Sequence, residues 1–239
     1  MHCYTFNPKY KWSDQNSIDE ILNDLNNKTF DVLYISGHKE NFVDVNVGLE
    51  LCEKLYDKFK CDLLITTRNI FNKKQITRLS NLNKKMKSDE KDMFFCISIP
   101  ALSSHKKLES NLLIPSPNDR IEFLKQVHTA NIYTMLTIKP LCPNNFIPTK
   151  EISEIIRKCY KYSSIILSSG IVVDEFILKR LNVSEKCFAG TKDKLMECLE
   201  NDIDVTYVDV DSELKEIKKM CDKYSVPFFE HSMPAIELN

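Results

Sequence analysis

Residues 63–99, LLITTRNIFNKKQITRLSNLNKKMKSDEKDMFFCISI, hold the pattern that decides the fold. An apolar run at Leu63 to Ile65 is followed by Ile76, Leu79, Leu82 and Met86 at helical spacing, and then by a second apolar run, Met93 to Ile99. Short continuous apolar runs suit strands buried on both faces, and the 3.6-residue period between them marks a helix with one buried stripe. The unit is strand, helix, strand. It requires a crossover and two parallel strands.

The same alternation extends in both directions. Val32 to Ile35 precedes the unit, and Ile132 to Ile138 and Ser164 to Leu167 follow it as further buried runs. Ser17 and Glu20 have capping-box spacing at the start of a helix carrying Ile18, Ile21, Leu22 and Leu25. Leu51, Cys52, Leu55 and Phe59 form the inward face of the next helix. Ser116 as N-cap, Pro117 in the first turn and Asp119 open another, which buries Ile121, Leu124 and Val127. Thr149 begins a fifth, with Ile152, Ile155, Ile156 and Cys159. The pattern predicts an α/β fold with a parallel sheet, either open or curled into a barrel. The chain opens on a polar and aromatic stretch, Met1 to Trp12, rather than on a strand, so a strand is expected to be missing in front. After Leu181 the pattern continues with a helix around Leu195 to Leu199, a strand at Val205 to Val208, a helix through Leu214, Ile217 and Cys221, and an apolar run at Val226 to Phe229. The expectation is a single domain with a core over 1–181 and an extension over 182–239 packed on it.

Composition narrows the function. The 239 residues are 43% hydrophobic, enough for one substantial core, and 33 basic residues nearly cancel 34 acidic ones. That balance gives no basic footprint for nucleic acid. No apolar run approaches the ~20 residues that span a bilayer, and no signal-peptide pattern is present, so the expected location is cytoplasmic. Nine cysteines, mostly inside periodic segments, read as reduced thiols.

Ligands of parallel α/β folds gather beyond the carboxyl ends of the strands. Here those ends are polar: Ser36-Gly37-His38, Thr66-Thr67-Arg68, Ser98 with Ser103 and Ser104 beyond it, Thr137 with Lys139, and Ser168-Ser169-Gly170. Any one of these residues could simply cap a helix or satisfy a turn. Five polar ends together point to one polar ligand site. Glu230-His231-Ser232 reads as a surface turn or a substrate contact.

Several segments, in order, resemble the radical S-adenosylmethionine (SAM) superfamily over about Cys3 to Leu181. Cys3-Tyr4 resembles the end of its cluster motif, in which three closely spaced cysteines follow the first strand. Tyr34-Ile35-Ser36-Gly37-His38 sits where the family has a glycine-rich second strand end, although His38-Lys39-Glu40 departs from the usual glycine-glutamate ending. Leu64 to Arg68 and Ile97-Ser98-Ile99 resemble the third and fourth strand ends. Pro115 to Ile121 and Leu136 to Pro143 are similar to segments of the branch that includes spore photoproduct lyase-like proteins.

The resemblance implies a partial (β/α)6 TIM-like barrel and reductive cleavage of SAM at a 4Fe-4S cluster, initiating radical chemistry on an unknown substrate. It also implies an electron donor such as flavodoxin or ferredoxin. Carried onto this chain, Cys3 is the expected iron ligand, and Ser36, Gly37, His38, Thr66, Thr67, Arg68, Ser98, Arg120 and Thr137 are the expected SAM contacts. Arg68 and Arg120 offer guanidinium groups suited to the SAM carboxylate, while a structural pair of Arg120 with Glu109 or Glu122 is an equal alternative. No two cysteines precede Cys3 in this sequence, so the motif is incomplete and no stable cluster is expected. Met1 would then be an internal methionine or a truncation point. Cys142, Cys187, Cys198 and Cys221 are too widely spaced to substitute and read as buried structural thiols. Two other readings remain, a non-catalytic module binding a nucleotide-like ligand and a barrel lyase using Lys139 as a Schiff-base amine.

Overall fold

A computed structural model describes residues 17–35, 40–109, 113–195 and 203–236. The elements run α1 (Ile18–Asp24), β1 (Val32–Ile35), α2 (Val45–Phe59), β2 (Asp62–Thr67), α3 (Lys73–Ser88), β3 (Met93–Ser98), α4 (His105–Leu108), α5 (Pro117–Thr129), β4 (Tyr133–Leu141), α6 (Thr149–Cys159) and β5 (Ile165–Gly170). There follow β6 (Val172–Val173), α7 (Glu175–Leu181), β7 (Gly190–Leu195), β8 (Ile203–Val208), α8 (Asp211–Lys223), β9 (Phe228–Phe229) and α9 (Ser232–Ile236).

The helix starts are written in local chemistry. Ser17 and Glu20 form the expected capping box. The Ser116 hydroxyl accepts from the Asp119 amide, with Pro117 just inside the helix. Asn72 and Gln75 form a second capping box at α3. Each device satisfies backbone donors that a helix start leaves unpaired.

β1, β2, β3, β4, β5 and β9 lie in that order in one sheet, and every neighbouring pair is parallel. This is an α/β fold with six parallel strands and flanking helices, consistent with a partial TIM-like barrel. The sixth strand, β9, comes from the segment after residue 181 and pairs Phe228 with Ile166 and Phe229 with Leu167.

Strand alternation splits the core in two. Leu33, Ile65, Phe95, Ile97, Leu136 and Ile166 face the helices and join the large cluster. Leu64, Phe94, Cys96, Met135, Ile165 and Leu167 form a second cluster on the opposite face, with Ile236 of α9 packed against it. We call this the inner face.

β6, β8 and β7 make a small antiparallel sheet. β7 has no apolar run to announce it. Gly190 permits its pairing, since a Cβ there would come within 2.0 Å of the Tyr207 carbonyl oxygen. The helix expected around Leu195 to Leu199 falls mostly outside the described residues, and Leu195 itself ends β7.

Candidate functional site at the carboxyl ends of the strands

Because the sheet is parallel, Thr66, Ser98, Thr137 and Ser168 share one rim, and the register sorts them by face. Thr66 lies opposite Cys96, and Ser98 opposite Thr137, so these residues follow the inner face. Ser168 follows the helix-facing side. It is fully buried and donates to the Ile138 carbonyl at 2.9 Å.

The inner rim is polar and half open. The Thr66 hydroxyl donates to the Tyr34 hydroxyl at 3.3 Å, and Tyr34 is 52% exposed. Ser98 makes one long contact, 3.5 Å, to the Lys139 carbonyl. The Thr137 Oγ1 is buried with no hydrogen-bond partner, and the thiol of Cys96 is its polar neighbour. Burial pushes that thiol up to about 11, which keeps it protonated near neutral pH. Burial also lowers the Lys139 ammonium from its ordinary value, against weaker opposite effects from Cys96 and Glu230.

The other expected residues have different surroundings. Thr67 is 1% exposed, donates to Glu40 Oε1 at 2.9 Å and accepts from the Asn69 amide at 2.9 Å. The Arg68 amide donates to Glu40 Oε2 at 2.8 Å, so Glu40 fastens the chain after β1 onto the end of β2. The Arg68 guanidinium is partly exposed, with Nη1 3.7 Å from Glu109 Oε1. Arg120 is fully buried, pairs with Glu109 through both terminal nitrogens, and donates to the Ser98 carbonyl at 2.7 Å. Of the two partners considered for it, Glu109 holds it, and Glu122 pairs with Lys125.

Ser103 and Ser104 serve the fold. Both hydroxyls donate to Glu151 Oε1, at 2.6 and 2.8 Å, and the Leu102 and Ser104 amides donate to its Oε2. Cys3, Ser36, Gly37 and His38 lie outside the described residues. Cys52, Cys61, Cys142, Cys159 and Cys221 are buried in the helix-facing cluster, and Cys96 stands on the inner face. No three metal-binding side chains converge among the described residues.

Sequence reasoning missed three groups here: Glu40 and Cys96 as members of the rim's surroundings, and Glu151 as the anchor of the loop after β3. Period-two alternation held the signal for Cys96, which shares its face with Phe94 and Ser98. Nothing local marked Glu151, whose partners lie 47 to 49 residues away.

No protein-family model matches this sequence, and no curated protein matches it. Solved structures do. A spore photoproduct lyase variant superimposes with a TM-score of 0.57 at 10% identity, over 90% of this chain and 66% of that one. The chain shares the fold of this lyase. A second variant of that lyase, with dinucleoside spore photoproduct bound, gives a TM-score of 0.55 at 12% identity over 87% of this chain and 62% of that one. Streptococcus suis SuiB bound to S-adenosylmethionine gives 0.50 at 13% identity over 92% of this chain and 45% of that one. The chain spans less than two thirds of the length of each of these structures. No helix among the described residues is long and apolar enough to cross a membrane.

Proposed function

We propose that the inner rim binds SAM and that the chain acts as part of a radical SAM enzyme. The observation that carries the reading is the Thr137 hydroxyl, buried on the inner face at a strand end with no oxygen or nitrogen partner and with the weakly bonding Cys96 thiol beside it. A buried hydroxyl left unpaired costs about 1–3 kcal/mol, so such groups in folded proteins commonly await a ligand or water. Ser98 and Thr66 stand on the same rim, where their hydroxyls make long hydrogen bonds of 3.5 and 3.3 Å. Hydroxyls of this kind suit the ribose and carboxylate oxygens of SAM. Arg68 keeps guanidinium donors that its 3.7 Å approach to Glu109 does not saturate. The fold is shared with a structure holding SAM, and ligands of parallel α/β folds sit at this end.

The cluster is a separate matter. Three thiolates are needed to hold a 4Fe-4S group with one iron open, and the described cysteines are dispersed through two clusters on opposite faces of the sheet. The described residues do not fit it.

Calorimetry tests the binding. SAM should bind the purified chain, and Thr137→Val, which keeps the side-chain shape, should weaken it by about 1 kcal/mol, close to fivefold in Kd. Adenosine and methionine, titrated separately, identify which end of the ligand the hydroxyl serves. Unchanged affinity in a folded Thr137→Val protein, or no heat with millimolar SAM, would sink the assignment.

A further inference from the structure

The small antiparallel sheet floors an open cavity of 760 Å³ that shares no lining residue with the inner rim. The register sets Thr206 of β8 between Val173 of β6 and Lys192 of β7, so these side chains share a face, and Asp204, two residues earlier on β8, lies on it too. α7 adds Glu175 and Leu178 with Asp174 as its N-cap, and Glu185 comes from the turn before β7. Thr206 is 8% exposed, and its hydroxyl, although it lines the cavity, makes no hydrogen bond among the described residues. Hydroxyls buried to this degree ordinarily have a partner, so Thr206 marks the floor as a place where a ligand's polar hydrogen is received.

Charge says what kind of ligand. Asp174, Glu175, Glu185, Asp193 and Asp204 set five carboxylates around the cavity against the single ammonium of Lys192, which pairs with Glu185 at 2.6 Å. Five negative charges and one positive leave four formal negative charges on the lining. A concave surface of one sign concentrates the opposite ion. No three metal-binding side chains converge among the described residues, so these carboxylates do not form a compact cage for a metal ion. Their dispersal, with the apolar Val173 and Leu178 in the same lining, matches positive charges separated by methylenes. We propose that the cavity binds a small aliphatic polyamine, with one ammonium donating to the Thr206 hydroxyl and the others to the surrounding carboxylates. Its volume lies within the range of about 300–1,000 Å³ common for small-molecule sites. The proposal does not rest on the SAM reading, because the two sites share no residue.

Calorimetric titration of the intact chain with spermidine, at pH 7 and low salt and without SAM, tests this. One spermidine should bind per chain, more tightly than trilysine and about tenfold or more tighter than magnesium ion, and added salt should weaken it. Thr206→Val keeps the shape and the charge of the cavity and should weaken spermidine about tenfold, the loss of one hydrogen bond from a charged donor. Glu175→Lys changes an exposed residue of the lining, so it keeps the test decisive should Thr206→Val misfold, and it too should weaken spermidine about tenfold or more by like-charge repulsion. Unchanged affinity in either folded variant, magnesium binding as tightly as spermidine, or several spermidines per chain would mark diffuse ion pairing and overturn the proposal. Tighter binding of trilysine would overturn it as well, assigning the surface to a basic peptide.

Discussion

Replacing Arg120 with methionine tests how the rim is held. The Arg120 and Glu109 side chains are 0% and 1% exposed, so solvent screens their pairing little. Losing the guanidinium leaves the Glu109 carboxylate buried with Arg68 Nη1 3.7 Å away as its remaining charged partner, and strips a 2.7 Å bond from the Ser98 carbonyl. Removing one member of a buried pair costs about 3–5 kcal/mol. Arg68 places this case at the lower end, and the unpaired carbonyl adds about 1 kcal/mol. The expected loss is thus about 4 kcal/mol. With an m-value of about 3 kcal/mol/M in urea, the unfolding midpoint followed by circular dichroism should fall by about 1.3 M. The double variant Glu109→Met with Arg120→Met removes both charges and should return to within about 1 kcal/mol of the parent. A single variant whose midpoint falls by less than about 0.3 M, under 1 kcal/mol by the same m-value, would refute the reasoning. It would show that the pair is not what fixes α5 to the end of β3.

Two further outcomes follow from the same structure. Burial opposes ionisation of Glu151, but the hydrogen bonds from Ser103, Ser104 and Leu102 outweigh it and hold the carboxyl below its ordinary 4.5. A depressed folded pKa stabilises at pH values above 4.5 and is lost as pH falls through the lower folded value. Glu151→Gln should therefore be less stable than the parent by about 1.5–3 kcal/mol at pH 7, with the gap closing below pH 4.5 in thermal melts; a gap independent of pH would contradict this. The second outcome concerns the thiols. Burial pushes Cys142, Cys159 and Cys221 up to about 12 and Cys96 to about 11. Iodoacetamide at pH 8 should leave these four unmodified in the folded protein and label them only in denaturant, as peptide mapping would show; rapid native labelling of any one would disprove its burial.

What the sequence disclosed was what local chemistry encodes. Ser17 with Glu20 and Ser116 with Asp119 announced helix starts because caps act over three residues. Buried strands announced themselves because both faces are apolar, as in Met93 to Ser98, buried throughout. The polar ends of the strands were legible, but their sides were not. Thr66 and Thr67 look equivalent in the chain, yet alternation sends one to the inner face and the other beneath Glu40. Ser103 and Ser104 resembled ligand groups because the carboxylate that engages them lies in α6, far along the chain. β7 escaped notice because Gly190-Thr191-Lys192-Asp193 carries no apolar face, and its pairing with β8 is a long-range fact.

The central claim is that SAM occupies the inner rim over Thr137, and a crystal structure of the chain grown with SAM tests it most directly. Density for the ligand is expected on the inner face, with an oxygen of its ribose or carboxylate within hydrogen-bond distance of Thr137 Oγ1 and with Ser98 or Thr66 also in contact. Density on the helix-facing side, or in the 760 Å³ cavity lined by Asp174, Lys192 and Thr206 beside the small antiparallel sheet, would contradict it.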